Sequence, residues 1–402
     1  MDINTQNNKT CCSPELRPAK TIQPNALPLF TPQEATEEVC CGSPAGPPSS
    51  PFERPGYRIC AFVDDFKTTA LGPVPVIKTR LCFRDRLGTL LVRIGIRRNQ
   101  YKVAPGLYAV GAPDATSPVL VTANYKLTWD SVRKELSDTN AWILVLDTRG
   151  INVWCAAGKG AFGTAEVVRQ VKITRLDQIV GHKKLILPQL GATGVSGLQV
   201  KKECGFEVVW GPVRAKDIPS FLANQQKATP AMRRVTFDLS ERLVLTGVEL
   251  TQTFKNLLWI LPALFILSGF GPGVFSFSNV WHRGPAAVLM VIGGVLSGTF
   301  LTPLLLPWIP GRAFALKGSL MGLLAGAVLA LFLLKPIFSV TVLALFLTSI
   351  PVSSYLAMNF TGCTPYTSPS GVEKEMRKAI PLQSLSALAG LVLWIVSAFL
   401  KH

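Results

Sequence analysis

Residues 141–163 read Ala-Trp-Ile-Leu-Val-Leu-Asp-Thr-Arg-Gly-Ile-Asn-Val-Trp-Cys-Ala-Ala-Gly-Lys-Gly-Ala-Phe-Gly. The apolar run Ala141–Leu146 is strand-like, and the polar, glycine-bearing residues after it end the strand. Working outward, Gly88–Ile96, Pro118–Ala123, Lys184–Leu190 and Phe206–Trp210 are further strand-like runs. Between them Thr128–Leu136, Gly163–Val171 and Ser196–Cys204 have the spacing of short amphipathic helices, with Thr128 and Thr164 as expected caps. Alternation of this kind predicts an α/β domain over residues 58–250, built on a parallel, Rossmann-like sheet. Such sheets take ligands in loops at the carboxyl ends of their strands. The two loops to watch are therefore Asp147–Gly163 and Gly191–Gly197.

Gly158-Lys159-Gly160-Ala161-Phe162-Gly163 matches G-x-G-x-x-G, and Asp177 stands near the distance of a ribose-binding acid. The context argues against a dinucleotide site. In that fingerprint the first glycine directly follows the strand, whereas here Asp147–Ala157 intervenes. Asp177 also precedes the next apolar run instead of ending it. The insert says more. Trp154-Cys155 followed by Ala156-Ala157-Gly158 clears space for a flat, bulky partner to approach the backbone. The plainer alternative is that Trp154 and Cys155 are packed core, since free cysteine is among the most buried residues.

The rest of the chain sets the context. Of 41 Lys/Arg and 24 Asp/Glu, 32 and 22 fall in the first 250 residues. From Thr251 on, long charge-free tracts predict an all-α transmembrane domain of about five helices over residues 251–402. The expected spans are Asn256–Trp281, Pro285–Ile309, Gly318–Leu334, Pro336–Asn359 and Ala379–Leu400, with no ionisable residue in a span interior. Arg242, Lys255, Arg312, Lys317, Lys374, Arg377 and Lys378 would flank one side, and Arg283, Lys335 and Lys401 the other. That asymmetry predicts a multi-pass protein of the cell membrane, with residues 1–250 and the Thr361–Lys378 loop in the cytoplasm and His402 outside. Gly294-x-x-x-Gly298 and Gly318-x-x-x-Gly322-x-x-x-Gly326 predict close helix packing, within the chain rather than between chains. Residues 1–57 are polar and rich in Pro, Gly and Ser, and predict a disordered cytosolic arm with no signal peptide. Its paired cysteines, Cys11-Cys12 and Cys40-Cys41, are soft donors that suit a soft metal or are incidental to a tail. No basic-aromatic run or reader motif points to nucleic acid.

Asn152-Val153-Trp154-Cys155-Ala156-Ala157-Gly158-Lys159-Gly160 resembles the cap-helix signature of the mercury-methylating corrinoid proteins. These are membrane-tethered relatives of the large subunit of the corrinoid iron–sulfur protein of acetyl-CoA synthesis. Thr122-Ala123-Asn124-Tyr125-Lys126, Leu187-Pro188-Gln189-Leu190-Gly191-Ala192 and the stretches 359–362 and 371–376 support the resemblance. It implies a corrinoid-dependent methyltransferase that forms methylmercury from Hg(II). Cys155 would be the catalytic residue and the lower axial ligand of cobalt in a base-off, cobalamin-type cofactor. A thiolate there would enrich the metal with electrons. The resemblance further implies that Asn152 and Trp154 shape the lower face of the cofactor, with Val153, Ala156 and Ala157 beside them. Gly158, Lys159 and Gly160 would begin the cap helix, and Thr122, Asn124 and Gly191 would be further cofactor contacts. None of the nine cysteines forms a C-x-x-C set, so no iron–sulfur cluster of its own is expected. The implied partners are a ferredoxin-like protein with two 4Fe–4S clusters and a methyltetrahydrofolate-dependent methyl donor system. Two other readings stand beside this one: a membrane-bound corrinoid methyl carrier of one-carbon metabolism, and a membrane scaffold or transporter with a nucleotide-sensing domain.

Overall fold

The computed structural model describes residues 46–50, 52–333, 339–360 and 369–400. Cys11, Cys12, Cys40, Cys41, Cys363, Lys335, Lys401, His402, most of the expected arm and the stretch 361–368 lie outside the described residues. The chain divides into two compact units. One holds Ser43–Thr89 and Asn99–Val235, and the other holds Leu90–Arg98 and Thr236 onward.

The first unit is built on a seven-stranded sheet. β1 (Val63–Thr69) and β2 (Gly72–Ile77) form an antiparallel hairpin, followed by helix α1 (Phe83–Arg93) and strand β3 (Gly106–Val110). Then come β4 (Val119–Ala123), α2 (Lys126–Arg133), β5 (Ala141–Leu146), α3 (Val153–Gly158) and α4 (Thr164–Ile173). β6 (Lys184–Leu187), α5 (Gly197–Cys204), β7 (Glu207–Trp210) and α6 (Ile218–Ala223) complete it. The strand order is β1-β2-β3-β5-β4-β6-β7. β5, β4, β6 and β7 run parallel, but β3 joins β5 antiparallel and β1 joins β2 antiparallel. The sheet is therefore mixed, not wholly parallel as expected. Its parallel part carries the strands buried on both faces: every residue of β4 and β5 is buried, the pattern of a sheet covered by helices.

Gly88–Ile96, expected to be a strand, lies largely in α1. Asp85 explains why: its Oδ2 accepts the Cys82 amide at 3.0 Å and closes the first turn. Asp85 also meets Lys126 and Arg133 at 2.7 Å each, and Gly88 faces Tyr101 so closely that a Cβ would stand 2.5 Å from its hydroxyl. Asp85, Gly88 and Val92 thus form the inner face at helical spacing. Neither expected cap holds. Thr128 lies inside α2, and Gly163 occupies the cap position of α4. Thr164 Oγ1 instead accepts the Ser196 amide at 2.8 Å. The last residues of the expected arm are engaged: Gly46 N donates to Arg149 O and Ser49 N to Asp147 Oδ2.

The second unit begins with α7 (Leu239–Leu267), started by a reciprocal capping box between Asp238 and Glu241. A two-stranded ribbon, β8 (Phe270–Gly271) with β9 (Val274–Phe275), leads into α8 (Phe277–Leu296). α8 runs through a π-helical turn, Ser297–Leu301, into the short α9 (Thr302–Leu305). α10 (Phe314–Leu333), α11 (Val340–Asn359) and α12 (Pro369–Val396) follow. Five helices among the described residues are long and apolar enough to cross a membrane, beginning at Leu239, Phe277, Phe314, Val340 and Gly371. The glycine rows pack within the chain. A Cβ on Gly294 or Gly298 would strike the α11 backbone at Ser349 or Ser353, and one on Gly318 would strike α11 at Ser353 and Ser354.

Two features depart from expectation. The helices extend well before the apolar tracts, because α7 is capped at Asp238 and α12 already begins at Pro369, inside the expected Thr361–Lys378 loop. Arg283 and Lys317 accordingly lie inside α8 and α10 and are buried, not in flanking loops. Arg283 donates to the carbonyls of Phe270 and Trp394 and to Ser397 Oγ, and Lys317 donates to the Leu306 and Ile309 carbonyls. Arg242 is buried in α7 over the Trp308 ring. Within α11, Pro351 has no amide to give to Leu347 O; Ser386 Oγ of α12 donates to that carbonyl at 3.0 Å.

Candidate functional site

The carboxyl ends of β4, β5 and β6 meet where the strand order turns back, between β4 and β6, the position at which open α/β sheets leave a crevice. Asn124 follows β4 directly and is fully buried. Its Oδ1 accepts the amides of Thr148 and Gly150 at 3.2 and 2.9 Å, and its Nδ2 donates to Asp147 Oδ1 at 2.9 Å. Thr148 Oγ1 donates to Ile151 O at 2.7 Å. From the other side, Asp147 N donates to Glu166 Oε1 of α4 at 2.9 Å. The loop after β5 is thus held at its base by side chains from β4 and α4. Arg149 and Gly150 have φ of 55° and 76°, a left-handed turn whose amides the Asn124 carbonyl oxygen collects.

That loop delivers α3. Asn152 is its N-cap, with Oδ1 accepting the Cys155 amide at 2.9 Å. Cys155 therefore sits in the first turn, half-buried. Val153, Ala156 and Ala157 turn into the core beside Phe162, while Trp154 is 38% exposed and Gly158 is exposed. Nothing lies within 4 Å of where a Cβ would stand on Gly158 or Gly160. The outer side of this turn carries an exposed indole and a half-buried thiol, beside two glycines with open space around them.

Gly158, Lys159 and Gly160 end this helix instead of beginning it. Asn152 starts the helix several residues earlier, Lys159 is its C-cap, and Gly160 has φ 76°. Lys159 is consequently at the far end of the helix from the first-turn amides around Cys155. The loop after β6 closes on the same helix. A Cβ on Gly191 would stand 2.5 Å from the Phe162 ring, and one on Gly194 would stand 2.4 Å from Phe162 O and 2.9 Å from Ala157 O. Gly191 and the Asn152–Gly160 segment are therefore brought together, with Asn124 bracing them from below.

Thr122 is not brought there. It pairs with Val145 in register, and strand alternation puts it with Leu120, Ile143 and Val145 on the sheet face opposite α3. Its buried hydroxyl has no hydrogen-bond partner. Asp147, Thr148 and Glu166 build the loop and were not foreseen as site residues. An Asp-Thr pair leaving an apolar strand was the available signal. Glu166, in the following helix, gave none.

A family model described as "CO dehydrogenase/acetyl-CoA synthase delta subunit" matches residues 92–222, which contain Asn124, Cys155 and Gly191. The acetyl-CoA decarbonylase/synthase complex subunit gamma of Methanopyrus kandleri is 37% identical over 131 residues, covering 32% of this chain and 28% of that protein. The corresponding subunit of Archaeoglobus fulgidus is 32% identical over 127 residues, covering 31% and 27%. The corrinoid/iron–sulfur protein large subunit of Moorella thermoacetica is 29% identical over 190 residues, covering 42% and 41%. The chain spans less than half the length of these relatives. The sheet-bearing part of the chain is thus related to protein subunits of the acetyl-CoA pathway, one of them a corrinoid protein.

Proposed function

We propose that the chain is a membrane-anchored, corrinoid-dependent methyltransferase whose acceptor is Hg(II). The observation that carries it is Cys155: a half-buried thiol in the first turn of an Asn152-capped helix, at the crevice of a domain related to a corrinoid protein. The residues present fit such a group. One sulfur donor and an exposed indole stand beside two glycines with open space around them, which leaves room for a flat ring to approach, and Ala156 and Ala157 seat the helix on the core. When bound, a corrinoid would supply a cobalt–carbon bond, and so a methyl group for transfer with its bonding pair to Hg(II). Cys155 would hold the group through its sulfur in this reading. Asn152 fixes the turn that presents the sulfur, and Asn124 holds the loop that carries the turn. Trp154 stacks beside the ring, and Gly191 and Gly194 let the β6 loop back the helix without intruding.

The methyl group comes from a methyltetrahydrofolate-dependent system, and reducing electrons come from a ferredoxin-like protein with two 4Fe–4S clusters. The helical unit spans the cell membrane, with the corrinoid domain on the cytoplasmic side. A second reading is favoured by the relatives, which belong to acetyl-CoA-pathway assemblies: a membrane-bound methyl carrier of one-carbon metabolism. One experiment separates the two. Full-length protein loaded with a methylated corrinoid is offered Hg(II), or the methyl-accepting acetyl-CoA synthase. Methylmercury as the product supports the first reading. Transfer to the synthase alone, with no methylmercury, overturns it in favour of the second. A bound chromophore that is the same in wild type and Cys155→Ala removes the sulfur ligand from either.

A further inference from the structure

Helix α1 has its polarity reversed. Its inner face, Asp85, Gly88 and Val92, is fixed by the ion pairs to Lys126 and Arg133 and by Tyr101. Burial alone would raise the Asp85 pKa, but hydrogen bonds and charge from Lys126 and Arg133 hold its carboxyl well below the ordinary carboxylate range. The inner face is therefore a charged clasp. The outward face is apolar: Phe83, Leu87 and Leu90 are 76%, 43% and 58% exposed and fall at i, i+4 and i+7, in one stripe. Exposed Arg86 and Arg93 border the stripe on one side and exposed Arg84 on the other. Between Lys78 and Gln100 there are seven basic residues, and Asp85, already paired, is the sole acidic one.

An apolar stripe bordered by arginines suits a surface that is oily below and anionic above. Long cationic side chains lay their stems along such a boundary and keep their heads in the polar layer. The position agrees. Leu90–Arg98 belongs to the unit that holds the five apolar helices. A Cβ on Gly247 of α7 would stand 3.1 Å from Arg93 O, and one on Gly95 would stand 3.8 Å from Thr251. Thr251 precedes Leu257, where the uninterrupted apolar run of α7 starts, by ~9 Å of helix rise. The end of α1 therefore lies beside the first helix that is long and apolar enough to cross a membrane.

We infer that α1 is a membrane-surface helix: Phe83, Leu87 and Leu90 enter the acyl boundary of the leaflet beside the first span, and Arg84, Arg86 and Arg93 engage anionic lipid headgroups. This second attachment is independent of what the crevice binds. The test uses the full chain in nanodiscs of phosphatidylcholine, with or without phosphatidylglycerol. A photoreactive benzoylphenylalanine replaces Leu87, or, as a solvent-facing control, Leu198 of α5, which is 80% exposed. Irradiation yields lipid adducts at position 87 well above those at position 198. Adducts to a second chain, adducts within the chain, or lipid adducts no more frequent than at Leu198 would overturn the inference. Amide exchange over Phe83–Arg93 reads the charge. It is slower with phosphatidylglycerol in the wild type, and the difference is lost when Arg84, Arg86 and Arg93 are all changed to Gln. A wild type indifferent to the anionic lipid overturns the headgroup half of the proposal.

Discussion

The two units bury positive charge in opposite ways. In the sheet unit Arg133 is fully buried, and it holds Asp130 at 2.8 Å and Asp85 at 2.7 Å, while Lys126 meets the same two carboxylates at 2.7 Å. Charge there is cancelled by countercharge. In the helical unit neither Arg283 nor Lys317 meets a carboxylate among the described residues. Lys317 takes the carbonyls of Leu306 and Ile309, just past the end of α9. Arg283 takes Phe270 O, just past α7, and Trp394 O, in the last turn of α12. Of these, Leu306 O belongs to the C-cap of α9 and Trp394 O to the last turn of α12, where a helix leaves carbonyls unsatisfied and its dipole is negative. The cations act as caps reaching from neighbouring helices. A network of full charges needs several carboxylates desolvated together, which an apolar bundle does not offer. Helix ends it has in quantity.

Cys155 belongs to neither scheme, and it provides the sharpest break between groups that hold the protein together and groups that work. Cys155→Ala should leave the sheet unit folded, at a cost of about 1–2 kcal/mol for a small buried truncation. It should lower methyl transfer more than about 100-fold, beyond what removing an outer partner of a metal site costs. Near-native turnover by a folded variant would make the thiol mere packing.

Asp85→Asn tests the opposite case. It strips one anion from two buried cations and should destabilise the sheet unit by about 3 kcal/mol, the lower end for a broken buried pair, because Asp130 remains. Denaturant unfolding of the full chain in detergent reads it. The depressed Asp85 pKa makes its contribution fully present above the unfolded carboxylate value of about 4. The contribution is lost as pH falls below that value toward the folded one. The gap between variant and wild type should stay constant from neutral pH to about pH 5 and close on further acidification. A gap that widens in acid would contradict the assignment.

In the helical unit Arg283→Met should cost less, about 1–2 kcal/mol, because it orphans carbonyls without stranding a charge. A loss as large as that of Asp85→Asn would erase the distinction between the two schemes. The smallest effect expected is that of Asn152→Ala, about 1 kcal/mol for a lost cap. Hydrogen exchange should locate it in α3, and it should be accompanied by a roughly 10-fold fall in activity as the sulfur loses its fixed position.

What could be read from the sequence follows how local the cause is. β5 and the five apolar helices were legible because unbroken apolar runs suffice to define them. The turn at Asn152–Cys155 was legible as a candidate site, but not the extent of its helix, since the positive φ of Gly160 and the support from the β6 loop involve residues apart in sequence. α1 was read as a strand because Leu90, Leu91 and Val92 look like one. Its helicity is fixed by partners more than 40 residues away, at Lys126 and Arg133. Arg283 and Lys317 looked like loop charges because nothing near them announces which carbonyl, up to 111 residues away, each will cap. Thr122 sat in a matching stretch, yet strand alternation turns it to the wrong face.

The bond from Ser386 to the carbonyl that Pro351 leaves open has a consequence for biogenesis. In a bilayer, the Leu347 carbonyl without that bond would face hydrocarbon unsatisfied, at a cost of several kcal/mol. Only α12, which follows α11 in the chain, supplies the hydroxyl. The hydrogen bonding of α11 is therefore completed by a helix that is synthesised after it.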